Sequence, residues 1–279
     1  MNQGAEVHQF RTSDGETLHG LLHRADVSRG DSVLVAVHGV AMNFYSGPLP
    51  VFANALAERG WNAFCMNTRG HDWIVRAGDL TAFGGAAYEQ FEDCLLDIDA
   101  VLNGLKEQGY KRFVLVGHSL GSVKALFYQG RRRRADVVGV VSCSAPKQFY
   151  AARAGEDSEF PKRMAEAEAL VAGGKGAELM WAPASGATGL FSARTYVSKY
   201  GSHETTDVRS HAASLGCPLL TTAGGIEAPY FREYARELAE AAGPERARCI
   251  TVPEANHFYS GCESVVIDAI HEWLEKHVA

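Results

Sequence analysis

The residues with the clearest capacity for chemistry lie in FVLVGHSLGSVK, from Phe113 to Lys124. An apolar run is followed there by Gly117, Ser119 and Gly121, in the pattern Gly-x-Ser-x-Gly. Where a strand passes directly into a helix, the chain must turn so sharply that side chains at both glycine positions would collide with neighbouring backbone. The same turn lifts the serine hydroxyl above the strand end. The pattern therefore predicts that Ser119 is a nucleophile.

A serine hydroxyl is a weak nucleophile, so it needs a general base that is oriented by an acid. His257 is the best-placed base, because it follows the apolar strand RCITVPE in a short loop ahead of the last helix. The acid should follow the preceding strand, PLLTTAGG, where Glu227 is the carboxylate. Glu254 is an alternative, but it lies three positions before His257 on the same loop and would strain to fold back. An acid from elsewhere in the chain stays open.

The oxyanion that forms when a serine attacks a carbonyl group needs two N–H donors. Leu120 begins the predicted helix after the serine, and N–H groups at a helix start lack intrahelical acceptors. The second donor is expected from Val40, in the loop HGVAMNFY after an earlier strand. Both donors are backbone groups, so the side chains of these two residues do not matter for this role.

Other polar residues near these loops have mainly structural interpretations. His118 lies inside the turn and is expected to point away from the hydroxyl of its neighbour, and His38 is expected to brace the loop behind it. Arg69, His71 and Asp72, in NTRGHDW, follow another strand. Ion pairs that pin this loop are the favoured interpretation, and a role in orienting the substrate is the alternative.

These residues must be positioned by a parallel sheet, because apolar strands alternate with helices along most of the chain. An N-terminal hairpin, joined at Asp14-Gly15, precedes this alternation. The predicted elements are then the strand SVLVAVHG, the helix LPVFANALAERG, the strand NAFCMN, a helix over Phe91 to Leu105, the strand RFVLVG, a helix from Leu120, the strands VVGVVSCSA, PLLTTAGG and RCITVPE, a helix after Pro229 between the last two, and a final helix from Glu263. Parallel strands end at one edge of a sheet, so the loops that carry the candidate residues can meet there.

One interval, residues 147–215, interrupts the alternation with a charged helical stretch, a Gly-rich piece and the segment FSARTYVSKYG. A structureless loop of that length is improbable in a compact domain. We therefore predict a helical cap, inserted after the sixth strand into a core of residues 1–146 and 216–279. Phe44, Tyr45, Trp181 and Tyr196 either line an apolar pocket or, in the cap, form its own small core.

The composition is that of an ordinary soluble globular protein. The chain has 279 residues, of which 46% are hydrophobic and 22% charged. The net charge of -6 gives no electrostatic support for a nucleic-acid partner, and the basic run Arg131 to Arg134 is expected to close a helix. No apolar run approaches the roughly 20 residues that span a bilayer, so no membrane partner is expected.

The start, MNQGAEVHQF, lacks the basic leader and apolar core of a secretory signal. Six cysteines are scattered without a Cys-x-x-Cys pair, which favours reduced thiols rather than a disulfide framework or a zinc site. A cytoplasmic location and the absence of any metal are therefore expected. The oligomeric state, homodimer or otherwise, stays open.

The motifs HGVAMNFY, NTRGHD, GHSLGS, the acid after PLLTTAGG and NHF near the end occur in that order. Together they resemble the serine-dependent branch of the alpha/beta hydrolase superfamily, and NFYSG, NTRGHD and YEQFEDCLLDIDA are similar to a bacterial esterase subgroup. The resemblance covers nearly the whole chain and is weakest in the predicted cap. It implies the alpha/beta hydrolase fold, with an eight-stranded, mostly parallel sheet, a cap over the site and no cofactor. The acid of this family is more often Asp, and Glu227 is one methylene longer.

Three functions fit the residues. The first is a serine hydrolase that cleaves a small-molecule carboxylic ester or lactone through an acyl-enzyme. The second is an acyltransferase that uses the same residues but passes the acyl group to an alcohol, amine or thiol. The third is a non-catalytic small-molecule receptor, against which the combination of Ser119, Glu227 and His257 argues.

Overall fold

An open sheet flanked by helices accounts for most of the chain. The computed structural model describes residues 5–27, 30–77, 82–184 and 187–279. The strands in this part of the chain are β1 (Glu6–Arg11), β2 (Thr17–His23), β3 (Ser32–Val37), β4 (Asn62–Met66), β5 (Val75–Ala77), β6 (Ala82–Gly84), β7 (Arg112–His118), β8 (Val137–Cys143), β9 (Leu179–Ala184), β10 (Ala187–Ser192), β11 (Leu219–Gly224) and β12 (Ala247–Val252). The helices in it are α1 (Leu49–Glu58), α2 (Cys94–Glu107), α3 (Leu120–Arg132), α4 (Tyr150–Glu156), α5 (Phe160–Ala172), α6 (Ala193–Tyr200), α7 (Arg209–Ala213), α8 (Pro229–Ala242) and α9 (Glu263–His277). None of these helices is both long and apolar enough to cross a membrane.

The main sheet of the described residues has eight strands in the order β1-β2-β4-β3-β7-β8-β11-β12. β2 runs antiparallel to both of its neighbours, and every other neighbouring pair is parallel. This confirms the predicted alpha/beta hydrolase fold with an eight-stranded, mostly parallel sheet. Because β3, β7, β8, β11 and β12 are parallel, their carboxyl ends lie at one edge of the sheet.

The central strands are apolar throughout because helices cover both faces of the sheet. In β3, Val33, Val35 and Val37 face a core that includes α2 and α3, whereas Leu34 and Ala36 face a second core with α1 and α9. Alternate side chains of a strand point to opposite faces, so a continuous valine-rich run fills both cores. All six cysteines are free thiols, and four of them are buried in this interior.

Residues 147–215 contain α4 to α7 and also the β9–β10 hairpin, which was not predicted. A second unpredicted hairpin, β5–β6, follows β4. The insertion has its own apolar cluster, formed by Phe160, Met164, Ala167, Ala182, Phe191, Ala193, Tyr196 and Tyr200. Two hydrogen bonds attach it to the segment before α2: the Ser192 N–H donates to the Ala87 carbonyl (2.7 Å), and the Phe91 N–H donates to the side-chain Oγ of Ser198 (2.8 Å).

A buried ion cluster also connects the insertion to the core. The Glu89 carboxylate lies 2.7 Å from Lys124 Nζ of α3 and 2.8 Å from Lys199 Nζ of α6, and all three side chains are at most 2% exposed. Thr68 Oγ1 and the Ala86 carbonyl accept further hydrogen bonds from the two ammonium groups. Burial alone would raise the pKa of Glu89, but the two lysine charges lower it to about 2.

Replacing Glu89 with Gln should therefore destabilise the fold strongly. It would leave two buried ammonium groups without an anion, which costs about 3–5 kcal/mol of unfolding free energy. Chemical denaturation at neutral pH measures this loss. Asp268→Asn, which breaks an exposed ion pair with Arg59, is the control and should cost less than about 1 kcal/mol. Because the pKa of Glu89 is lower in the folded protein, the ionised carboxylate stabilises the fold fully above about pH 4.5. This stabilisation is lost as the pH falls towards about 2.

Candidate active site

Ser119 occupies a strained turn between β7 and α3. Its backbone has φ 55° and ψ −127°, a conformation that residues other than glycine rarely adopt. A Cβ atom at Gly117 would overlap the backbone of Gly121 and Ser122, and one at Gly121 would overlap the carbonyl group of Val37. The predicted collision at both glycine positions is confirmed. The turn therefore exists because this sequence lacks side chains at two points.

The loop after β3 lies directly against this serine. A Cβ atom built on Gly39 would be 2.9 Å from Ser119 Cβ, so only glycine lets the loop approach so closely. Val40 follows Gly39, and Leu120 follows Ser119 at the start of α3. Among the described residues, no backbone or side-chain acceptor takes the N–H of Val40 or of Leu120. Two free N–H groups thus flank the serine, as an oxyanion hole requires.

The structure brings His257 and Glu227 together. His257 Nδ1 lies 2.6 Å from Glu227 Oε1, in the loops that follow β12 and β11. The Glu227 side chain is 1% exposed and that of His257 is 28% exposed. Glu254, the alternative acid, is exposed, and the imidazole nitrogen it would need is already engaged by Glu227. A carboxylate on Nδ1 leaves Nε2 free to act as a base.

His118 connects the serine turn to the base loop, a function that sequence reasoning missed. Its Nε2–H donates to the His257 carbonyl (2.7 Å), and the two imidazole rings are 4.9 Å apart. Burial, with the nearby charge of His257, lowers the pKa of His118 to about 3. The ring is therefore neutral, and it ties the residue before Ser119 to the backbone of the candidate base.

The remaining polar residues fit their structural interpretations. His38 donates from Nδ1 to the Gly39 carbonyl (2.8 Å) and accepts at Nε2 from the Thr68 N–H (3.0 Å), so it braces both loops. Arg69 makes paired hydrogen bonds to Asp14 and to the buried Asp97, which pins the loop after β4. The neighbours of Arg69 form a pair of their own, with His71 Nδ1 2.7 Å from Asp72 Oδ2.

Ser144 holds the acid and Tyr259 holds Ser144, and no pattern in the sequence points to either residue. Ser144, at the end of β8, donates from Oγ to Glu227 Oε2 (2.8 Å), and Tyr259 Oη lies 2.8 Å from the same Ser144 Oγ. The Gly224 N–H donates to the same carboxylate oxygen. Ser144 and Glu227 are 83 positions apart, so only the sheet brings them together.

The sheet order, the strained serine turn and the loops that meet at the carboxyl edge define the chain as a member of the alpha/beta hydrolase superfamily. A family model described as Serine aminopeptidase, S33, matches residues 28–172, and the chain belongs to that family. No protein of curated function matches the sequence.

Solved structures show the same fold at low sequence identity. Est1E from Butyrivibrio proteoclasticus, with ferulic acid bound, is 16% identical with a TM-score of 0.72, covering 97% of this chain and 99% of that one. DcsB in complex with its substrate analogue is 16% identical with a TM-score of 0.73, covering 99% and 100%. The esterase domain of a Rhodothermus marinus protein is 17% identical with a TM-score of 0.66, covering 99% and 100%.

Proposed function

We propose that this protein is a serine hydrolase that cleaves a carboxylic ester or lactone of a small molecule through an acyl-enzyme. The observation that carries the proposal is the 2.6 Å contact between His257 Nδ1 and Glu227 Oε1, in a loop that His118 ties to the strained Ser119 turn. The contact leaves Nε2 of the base free, and the strained turn presents the Ser119 hydroxyl at the same edge of the sheet. This combination argues against a non-catalytic receptor, which would not need all three residues.

The geometry supports the following reaction. Ser119 Oγ attacks the carbonyl carbon of the ester while the serine proton moves to His257 Nε2. The oxyanion that forms accepts hydrogen bonds from the N–H groups of Val40 and Leu120. Collapse of the tetrahedral intermediate breaks the ester C–O bond, and the leaving alkoxide takes the proton from His257. Water then repeats the sequence on the acyl-enzyme, releasing the acid and restoring the hydroxyl of Ser119. Glu227 keeps the imidazole in the required tautomer.

An ester is a better-supported substrate than a peptide, despite the description of the family. An aminopeptidase needs an acidic group for the substrate's α-ammonium, and Glu227 does not suit that role because both of its oxygens already serve other donors. Glu227 Oε1 contacts His257, and Oε2 accepts from Ser144 and Gly224. The Rhodothermus marinus domain of the same fold is described as an esterase domain.

We also propose that residues 147–215 act as a cap that sets substrate choice. The insertion leaves β8 at its carboxyl end, the edge of the sheet where the candidate triad lies. Its apolar cluster packs against Val40, one of the two proposed oxyanion donors. A substrate bound at Ser119 would therefore lie beside the insertion.

Two aromatic residues of the insertion should respond differently to truncation. Trp181 is 71% exposed, whereas Tyr196 is fully buried inside the insertion's own cluster and cannot line an open pocket. Trp181→Ala should change the kcat/KM ratio between long-chain and short-chain esters by about 10-fold with little change in Tm. Tyr196→Ala should lower the unfolding free energy by about 3 kcal/mol. A destabilised Trp181→Ala with unchanged selectivity would contradict the cap proposal.

A substrate panel tests the proposed activity directly. Esters of graded acyl length, lactones and aminoacyl p-nitroanilides should be assayed together, with product analysis in the presence of added alcohols, amines and thiols. We expect hydrolysis of esters or lactones to exceed cleavage of the anilides. Preferential anilide cleavage would replace the esterase proposal by a peptidase, and acyl transfer to an added acceptor in preference to water would replace it by an acyltransferase.

A further inference from the structure

The candidate acid is a buried carboxylate that depends on neutral hydrogen-bond donors. Apart from His257, its described side-chain contact is with a hydroxyl: Ser144 Oγ donates to Glu227 Oε2 at 2.8 Å. The Gly224 N–H donates to the same oxygen. A buried anion is costly unless donors satisfy its oxygens, so these two contacts hold the carboxylate in its charged form.

Ser144 occupies a backbone position that favours glycine. Its φ is 51°, in the left-handed region, and its side chain is buried. The Ser144 N–H donates to the Thr222 carbonyl (2.8 Å), which fixes the residue between β8 and β11. A residue in a strained conformation needs a compensating contact, and the hydrogen bond from the Ser144 hydroxyl to Glu227 supplies one.

The hydroxyl of Ser144 is itself held by the hydroxyl of Tyr259. Tyr259 Oη lies 2.8 Å from Ser144 Oγ and 2.7 Å from Thr222 Oγ1, and Tyr259 is fully buried. The Ser144 hydroxyl is placed to donate to either Glu227 Oε2 or Tyr259 Oη. It has one hydrogen, and we infer that the charged carboxylate takes it, so that Tyr259 donates to Ser144 and accepts from Thr222. Such a chain polarises each bond in the direction of the anion.

We propose that Ser144 and Tyr259 are positioning residues of the triad, which hold the Glu227 carboxylate ionised and aimed at His257 through this chain of hydroxyls. The inference rests on the proposed function for its catalytic meaning. Tyr259 is also two residues beyond His257, so one side chain fixes the acid and the end of the base loop together. Neither residue touches the reacting atoms.

Few other charges face the Glu227–His257 pair. Arg232 is a cation whose Nη1 donates to the backbone carbonyls of Gly225 and Glu227. Burial lowers the pKa of His118 to about 3, raises that of Cys143 to about 12, and raises those of Tyr230 and Tyr259. These four groups therefore stay uncharged from about pH 5 to pH 9, and a titration in that window reports the pair itself.

The test removes each hydroxyl and follows the titration of the base. Ser144→Gly deletes the donor while suiting the left-handed backbone, and Tyr259→Phe deletes the second hydroxyl without changing the ring. A carboxylate that loses a donor holds an imidazolium more strongly, so the midpoint of the acid limb of kcat/KM should move to higher pH. We expect about one pH unit for Ser144→Gly and a smaller shift in the same direction for Tyr259→Phe.

Two matched variants provide the controls. Ser142, which lies on β8 two residues before Ser144, and Tyr200 each have a buried hydroxyl with no hydrogen-bond partner among the described residues. Ser142→Ala and Tyr200→Phe should leave the midpoint unchanged, even if they alter Tm. A shift of the same size in these controls would show that loss of packing alone moves the midpoint, and it would overturn the proposal.

An NMR titration of the His257 ring protons separates this proposal from the proposed function. It requires a folded protein but no ester cleavage, so it tests the hydroxyl chain even if no ester is a substrate. Midpoints equal to that of the unaltered protein in both folded variants would overturn the positioning role. Upward shifts by NMR with no esterase activity in any variant would support the chain and reject the proposed function.

Discussion

A fluorophosphonate should label this protein at one site, on the peptide that carries Ser119, and Ser119→Ala should abolish both labelling and ester hydrolysis. Loss of the nucleophile of a serine hydrolase lowers kcat by about 10⁶-fold. The expectation rests on the φ of 55° at Ser119 and on the two N–H groups beside it that have no acceptor in the described part of the chain. Mass spectrometry of the labelled protein and single-turnover assays measure the two effects.

Ser122 is the matched control for this variant. It lies one turn further along α3, and its Oγ donates to the carbonyls of Gly117 and Cys143 at 2.8 and 2.9 Å. Ser122→Ala removes buried hydrogen bonds, so it should reduce stability while the label still reaches Ser119. Labelling of any other serine in the unaltered protein, or full labelling of Ser119→Ala, would contradict the assignment.

The sheet could be predicted from the sequence because each buried strand is a short apolar run between turn residues. We could predict β3, β7 and β8 without knowing which strands pair with them, because both faces of each strand are buried and the whole run is apolar. The β9–β10 hairpin was missed because its segment, LMWAPASGATGLFS, has neither a continuous apolar run nor a clear alternation. Tertiary contact supports it instead: Trp73, in the loop before β5, packs against Phe191 with ring centroids 5.5 Å apart.

The candidate site likewise has residues that local sequence patterns predict and residues that only distant contacts explain. Ser119, Glu227 and His257 could be proposed because each comes directly after a predicted strand, so the fold alone places them at one edge. Ser144 and Tyr259 act through hydroxyl contacts with distant residues, for which the sequence has no local pattern. Lys199 was missed for a related reason: its charge predicts exposure, and the partners that explain its burial, Glu89 and the Ala86 carbonyl, are 110 and 113 positions away.

Glu227→Gln should lower kcat by about 10⁴-fold while the protein stays folded, less than the loss of the serine. Gln keeps the size of the side chain but removes the charge that favours the imidazolium, and its amide can present a donor to His257 Nδ1, which selects the wrong tautomer. Glu227→Asp keeps the charge and should retain partial activity, because Ser144 and the Gly224 N–H still offer donors to a shorter carboxylate.

Glu254→Gln is the control for this assignment, because Glu254 lies on the same loop as His257 but is exposed to solvent. Its turnover should stay within about twofold of the unaltered protein, as for an exposed surface substitution. Steady-state kinetics of the three variants, with circular dichroism to verify folding, decides between the two acids. Near-normal turnover in Glu227→Gln with a crippled Glu254→Gln would mean that the base is oriented from its own loop, and the 2.6 Å contact between His257 and Glu227 would then have no part in catalysis.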